Sequence, residues 1–254
     1  MPSPAPGATL CQRSVLIVGV GGLGAPAARA LAAAGIGTLG LADGDRVELS
    51  NLNRQILFRT DDVGGSKVVI AAERLQQSYP RLTIRPFDQR LSAHSAPQVV
   101  SAFDFVIDAT DGVESKYLVN DAAVRCGVPF SHAGVLGFQG QTLTVVPGRS
   151  ACLRCLFPLP PSADDLPTCQ EAGILGSVAG TIGTLQAAEA VKYLLGVGRL
   201  RTDQLLTYDA RAVNWRTVPV RRQPDCPLCA DQPRAGAAMP APAETCKSSR
   251  LGFR

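Results

Sequence analysis

The sequence predicts an α/β fold: a doubly wound, mostly parallel sheet extended by antiparallel strands toward its C-terminal end. Three observations carry that prediction. Short apolar runs rich in β-branched residues alternate with helical stretches up to about residue 130. A glycine turn, Gly19, Gly21 and Gly24 in G-x-G-x-x-G spacing, joins the first run to a helix rich in alanine and leucine. From Gly134 to Val146 the pattern changes to GVLGFQGQTLTVV, whose alternation reads as antiparallel strands.

Bulk properties narrow the class. At 254 residues the chain is one large domain or two small ones, by a size prior of about 100–200 residues each. Its composition is 46% hydrophobic, enough for a sizeable core. A net charge of +4, with 5% aromatic residues and no basic-aromatic patch, argues against nucleic acid or a membrane surface as partner. No apolar run reaches the about 18 residues of a membrane span. The start, MPSPAPGATLCQR, lacks a basic segment followed by a hydrophobic one, so it does not read as a secretory signal. The expected location is the cytoplasm, where the eight cysteines read as metal or catalytic groups rather than disulfides.

Residues 1–13 are rich in proline and alanine and are expected to be flexible. Val15–Val18 reads as a buried parallel strand and Ala25–Ala34 as a helix whose N-terminus suits an anion. Thr38–Ala42 is the second strand. It ends on Asp43, about 20 residues past the glycines, where an acid usually holds a ribose. The polar, irregular stretch from Asp45 to Gln55, DRVELSNLNRQ, belongs at the carboxyl end of the sheet. A helix runs from Lys67 to about Tyr79, with Ser66 as N-cap, Val69, Ala72 and Leu75 at helical spacing, and Pro80 as its stop. Leu82–Pro86 is a strand, Ala96–Ala102 a short helix and Phe103–Ala109 a buried strand ending in Thr110-Asp111-Gly112. A helix over Glu114–Cys126 and a strand over Val128–Phe130 complete the parallel part.

Beyond the antiparallel strands come Cys152-Leu-Arg-Cys155 and a proline-rich loop, Phe157–Gln170. A helical region follows over Gly173–Leu195, where Gly176, Gly180 and Gly183 imply close approach of a neighbour. Glu171, Glu189 and Lys192 argue against its crossing a membrane. Leu205–Tyr208 and Asn214–Val220 are two more strands, and Cys226-Pro-Leu-Cys229 closes a single ordered unit, 14–230. Residues 231–254, rich in proline, alanine and serine, read as a disordered tail.

The glycine turn with Asp43 fits an NAD-dependent dehydrogenase as well as any other nucleotide enzyme. The cysteine pairs carry more information. Cys152, Cys155, Cys226 and Cys229 form two C-x-x-C pairs outside the nucleotide unit. Four thiolates suit a closed, tetrahedral, structural Zn²⁺ site tying the C-terminal end to the middle of the chain. A redox dithiol or unrelated thiols are the alternatives. His132, just past a strand, reads as a packed residue.

VLIVGVGGLG, LADGDRVELSNLNRQ, VGGSK, DATDG, CLRC, PTCQEAG and CPLC, in this order, resemble the ThiF/MoeB/HesA family of adenylating enzymes, relatives of the ubiquitin-activating enzymes. The resemblance covers residues 14–230 and is nearest to the branch acting in molybdopterin synthesis. It implies a Rossmann-like fold and Mg²⁺- and ATP-dependent adenylation of the C-terminal glycine of a ubiquitin-like sulfur carrier ending in Gly-Gly. Molybdenum cofactor, thiamin and related sulfur-transfer pathways would all fit. It further implies a homodimer, with neither nucleic acid nor a membrane span. Nucleotide contacts are implied at Gly19, Gly21, Gly22 and Gly24, at Asp43 and Asp45, and at Ser50, Asn51, Leu52, Asn53, Arg54 and Gln55. Lys67, Asp111 and Gly112 complete that set. Arg54 would supply a forked phosphate donor, Lys67 a point charge and Asp111 a carboxylate linked to Mg²⁺. Cys169 matches a family cysteine that in some members joins covalently to the carrier or its sulfur; the alternative is an unreactive thiol. The sequence departs from the family in lacking the N-terminal R-Y-x-R-Q motif and in having Gly112 for the usual asparagine and Lys116 for an arginine. The missing motif favours the competing reading, a member that binds a carrier without catalysis, and intact Arg54, Lys67 and Asp111 oppose it.

Overall fold

A computed structural model describes residues 9–161 and 173–230. The expected tail at 231–254, Cys169 and most of the Phe157–Gln170 loop lie outside them.

The strands form one eight-stranded sheet in the order β3-β2-β1-β4-β5-β6-β7-β8. They are β1 (Ser14–Val18), β2 (Thr38–Ala42), β3 (Thr83–Phe87), β4 (Phe105–Asp108), β5 (Phe130–Leu136), β6 (Gln139–Val145), β7 (Gln204–Asp209) and β8 (Asn214–Pro219). The first five run parallel, and the last three extend the sheet in antiparallel pairs. This is the predicted architecture. One boundary differs from expectation. The short strand at Val128–Phe130 and the first antiparallel strand are a single element, β5. It pairs parallel with β4 over Phe130–His132 and antiparallel with β6 along its whole length. Alternation alone does not reveal a strand shared by two kinds of ladder.

The six helices described are α1 (Gly24–Ala33), α2 (Lys67–Ser78), α3 (Ser95–Val100), α4 (Val113–Cys126), α5 (Leu153–Leu156) and α6 (Gly176–Leu195). Period-2 alternation in the central strands splits the core in two. Val15, Ile17, Leu39, Leu41, Phe105 and Ile107 pack with α1, α2 and α6. Leu16, Val18, Val106, Phe130, Leu143 and Val145 pack with α3, α4 and the cysteine pairs. Both faces of the sheet are therefore covered, which is why its central strands are apolar throughout.

The Ser66 hydroxyl caps α2 by accepting from the Val69 amide. Of Val69, Ala72 and Leu75, Leu75 joins the buried face of α2 and Ala72 packs half-buried against the core. Lys67, Val68, Ala71 and Leu75 are buried, and Val69 is exposed. Steps of three and four residues return to one side of a helix, whereas two steps of three drift around it. The α6 glycines also divide. A Cβ at Gly183 would stand 2.2 Å from the Leu23 carbonyl oxygen, and one at Gly176 2.8 Å from that of Asn53. Gly180 faces nothing within 4 Å among the described residues, contrary to the expectation that all three admit a close neighbour. Near the start, Leu10–Gln12 forms a 3₁₀ turn in which Leu10 accepts from the Gly37 amide and packs against the core. Among the described residues no helix is long and apolar enough to cross a membrane.

Candidate active site

The strand order reverses between β1 and β4, and a cavity of about 220 Å³ opens there, at the carboxyl ends of the parallel strands. Its floor is the turn between β1 and α1. Gly19 has φ +92°, and a Cβ on it would lie 2.6 Å from the Ala109 carbonyl oxygen. A Cβ on Gly24 would lie 1.9 Å from the Gly19 oxygen, so both positions exclude any larger residue. Asp43, at the end of β2, ties this turn down. Its Oδ2 accepts from the Val20 amide and its Oδ1 from the Asp45 amide. Burial raises the Asp43 carboxyl above its ordinary value, against the pull of those two amides and of Lys67.

Cations gather on one side. The Lys67 ammonium, at the start of α2 and nearly fully buried, stands 3.3 Å from Asp45 Oδ2. Arg90, just past β3, donates to Asp45 Oδ1 at 2.7 Å from a side chain 81% exposed. Burial opposes ionisation of Asp45, but Arg90 and Lys67 outweigh it and hold its carboxyl below the ordinary value. Arg54 lines the cavity beside Gly22, its Nη1 donating to the Ser50 carbonyl and to Asn53 Oδ1. Asp111, past β4, lines the cavity with an exposed carboxylate that accepts no hydrogen bond among the described residues.

Of the residues implied by the resemblance, Gly19, Gly21, Gly22, Asp43, Asp45, Arg54, Gln55, Lys67, Asp111 and Gly112 line this one cavity. Gly24, Ser50, Asn51, Leu52 and Asn53 do not. Gly24 closes the turn. The Asn51 carbonyl accepts from the Arg54 and Gln55 amides, Ser50 and Asn53 hold the guanidinium, and Leu52 packs on the core. These residues shape the wall from behind. Cys169 lies outside the described residues. Sequence reasoning missed Gln89, Arg90 and Leu91 as lining residues. The rule that ligands bind past the carboxyl ends of strands, applied to β3, points to them.

Elsewhere, Cys152, Cys155, Cys226 and Cys229 bring their sulfurs within 4.8 Å of one another, and all four are buried. Neighbouring sulfurs are 3.5, 3.7 and 3.9 Å apart. A tetrahedral site with Zn–S bonds of about 2.3 Å has edges of about 3.8 Å, so the cluster fits that ion. The Cys152 thiol hydrogen bond, assisted by Gln223 N–H, holds Cys155 down at about 5. The Cys155 hydrogen bond and burial push Cys152 up, and burial raises Cys229 to about 11. As four thiolates they would repel one another, and a bound cation would hold them together.

Comparison with known proteins places these features in context. The model of the ThiF family matches residues 7–228. A sulfur carrier protein adenylyltransferase of Thermus thermophilus is 43% identical over 229 residues, covering 88% of this chain and 84% of the relative. A SAMP-activating enzyme E1 of Haloferax volcanii is 42% identical over 222 residues, covering 87% of this chain and 82% of the relative. The pig (Sus scrofa) adenylyltransferase and sulfurtransferase MOCS3 is 43% identical over 225 residues, and this chain spans about half its length, 50%. Among solved structures, E. coli MccB with ATP superposes at a TM-score of 0.77 over 87% of this chain and 67% of its own, at 23% identity, a likeness of fold.

Proposed function

The chain belongs to the ThiF family, and from that membership we propose that it adenylates the C-terminal glycine of a ubiquitin-like sulfur carrier protein. The observation that carries this reading is the convergence of Arg54, Lys67 and Arg90 with the exposed Asp111 carboxylate on one cavity floored by the glycine turn. A carboxylate is a poor electrophile, and conversion to a mixed anhydride with AMP supplies a good leaving group. One carrier carboxylate oxygen attacks the α-phosphorus of ATP. The bond from that phosphorus to the bridging oxygen breaks, and pyrophosphate leaves.

Bringing two anions together requires fixed positive charge and N–H donors. The turn at Gly21 and Gly22 offers backbone amides to the phosphates, and Asp43 receives the ribose hydroxyls. Arg54 grips phosphate oxygens as a fork, while Lys67 adds a compact charge that burial leaves poorly screened. Gln55, buried with an Oε1 that has no partner among the described residues, lines the same cavity. Asp111 would hold Mg²⁺, which neutralises charge on the polyphosphate when bound. The four clustered cysteines would hold a structural Zn²⁺. Cys169 is assigned a later step, attack of its sulfur on the acyl-adenylate carbonyl with loss of AMP. We further propose a homodimer working in the reducing cytoplasm, in molybdenum cofactor, thiamin or related sulfur-transfer synthesis.

The test is exchange of labelled pyrophosphate into ATP with a panel of carriers ending in Gly-Gly. Exchange that needs Mg²⁺ and one particular carrier supports the reading. Absence of exchange with every carrier, from protein that binds ATP, overturns it.

A further inference from the structure

Behind the cavity wall lies a buried polar cluster that the proposed chemistry does not use. Asp108, the last residue of β4, is fully buried and spends both carboxylate oxygens. Oδ1 accepts from the Thr110 amide at 3.1 Å and from the Thr110 hydroxyl at 2.7 Å. Oδ2 accepts from His132 Nδ1 on β5 at 2.8 Å, and the Lys116 ammonium stands 4.0 Å away. Lys116, on α4, reaches back to donate to the carbonyls of Thr110 and Ala133. From the other face, Gln186 on α6 donates to the backbone carbonyls of Asp108 and Ser131. Lys116 borders the cavity, yet two of its three N–H donors are taken by protein carbonyls and its charge pairs with Asp108.

Every polar group of Thr110 is therefore held. Its N–H and hydroxyl bind Asp108, and its carbonyl binds Lys116. The next residue is Asp111, whose own carboxylate has no such tether among the described residues. We infer that Asp108 is a positioning residue: its buried carboxylate, with the Lys116 ammonium, locks the Thr110–Asp111 peptide and so fixes where the Asp111 carboxylate stands. The Asp108 carboxyl, held down at about 2 by Lys116 and His132 against the effect of burial, keeps the negative charge this clamp needs. The inference deepens the proposed function, since it assigns Asp111 the cation that accompanies the nucleotide.

The test compares Thr110→Val, which keeps the volume and loses the hydroxyl, with Thr110→Ser, which restores it, alongside Asp108→Asn. Two quantities are read: the Mg²⁺ concentration giving half-maximal ATP binding by calorimetry, and kcat against carrier KM in pyrophosphate exchange. Thr110→Val and Asp108→Asn are expected to raise the Mg²⁺ half-point and lower kcat by about 10- to 100-fold, the usual loss when the support of a metal-binding group is removed. Carrier KM should stay within about twofold, because uniform carrier binding is untouched, and Thr110→Ser should restore the wild-type Mg²⁺ half-point. A folded Thr110→Val protein with wild-type Mg²⁺ dependence overturns the inference, as does a Thr110→Ser protein equally impaired. If Asp108→Asn fails to fold, the Thr110 pair decides alone. Calorimetry needs no carrier, so wild-type protein that binds Mg²⁺ and ATP without exchanging pyrophosphate would sink the carrier reading and leave this inference to the binding data.

Discussion

The glycines of α6 allow one substitution to be predicted with opposite signs three residues apart. At Gly183 an alanine Cβ would lie 2.2 Å from the Leu23 carbonyl oxygen, 3.0 Å from its carbon and 3.1 Å from Pro26 Cγ. Ordinary contact begins at 3.4 Å, and the obstacle is backbone, so α1 and α6 must separate by about 1 Å. Overpacking of this kind costs about 1–3 kcal/mol. A rigid carbonyl puts Gly183→Ala near the upper end, and the better helix propensity of alanine returns about 0.8–1.0 kcal/mol. The net loss is about 2 kcal/mol, a Tm decrease of about 4–8 °C for a chain of this size. At Gly180 a Cβ would meet no described residue within 4 Å, so the propensity gain stands alone and Tm should rise by about 2–4 °C. Differential scanning calorimetry of the two variants reads both numbers. Leu23 begins the turn into α1, so Gly183→Ala should also weaken ATP binding. Shifts of the same sign, or no loss at Gly183, would refute the close packing of α1 on α6.

Lys67→Gln should lower kcat of carrier-dependent pyrophosphate exchange by about 10²–10³-fold, as for loss of one preorganised charged donor, with carrier KM nearly unchanged in steady-state assays; an unchanged kcat would remove Lys67 from the phosphate site. Metal analysis should find Zn²⁺ equimolar with the chain, and Cys226→Ser should lose it and unfold at lower temperature, since metal binding is part of the folding free energy; metal-free protein with an unchanged Tm would contradict the structural-zinc reading. Burial lowers the His132 imidazole below its ordinary 6.5 despite Asp108. Below that pH the unfolded chain takes up a proton that the folded chain does not, so stability falls as pH drops. A Tm series in His132→Gln should lose that limb, and an equally steep decline in the variant would show that another group causes it. Asp108 is also lowered, here by Lys116 and His132 against burial, and its stabilisation too is lost toward acid. Its stabilisation is complete above pH 3.8 and is lost as pH falls toward about 2.

The parallel half of the fold was legible because buried strands, a glycine turn and helix caps are local signals. Gly19 and Gly24 announced a tight turn, and Ser66 announced the start of α2. Which apolar residues α2 buries was not legible, because two apolar sets fit its sequence, and only packing against β2 and β3 selects Val68, Ala71 and Leu75. Gly180 and Gly183 look alike in sequence, and their difference depends on where α1 lies. The candidate site was legible where its residues follow strands, as Asp43 and Asp111 do. Arg90 follows β3 too, but no motif marks it. The clamp on Thr110 joins β4, β5, α4 and α6, so no single segment contains it. The cysteine pairs were legible by spacing alone, and the fold closes a gap of 70 residues between Cys155 and Cys226 (226 − 155 − 1) to bring them together.

The central claim is that this cavity joins AMP to the end of a carrier protein. Intact-mass spectrometry of the carrier, after incubation with the protein, ATP and Mg²⁺, tests it most directly. The account predicts a mass increase equal to one adenylyl group on the carrier's C-terminal glycine, absent when that glycine is deleted and absent with Asp111→Ala protein. A carrier that stays unmodified while ATP is bound, or adenylylation that survives loss of the terminal glycine, would contradict it.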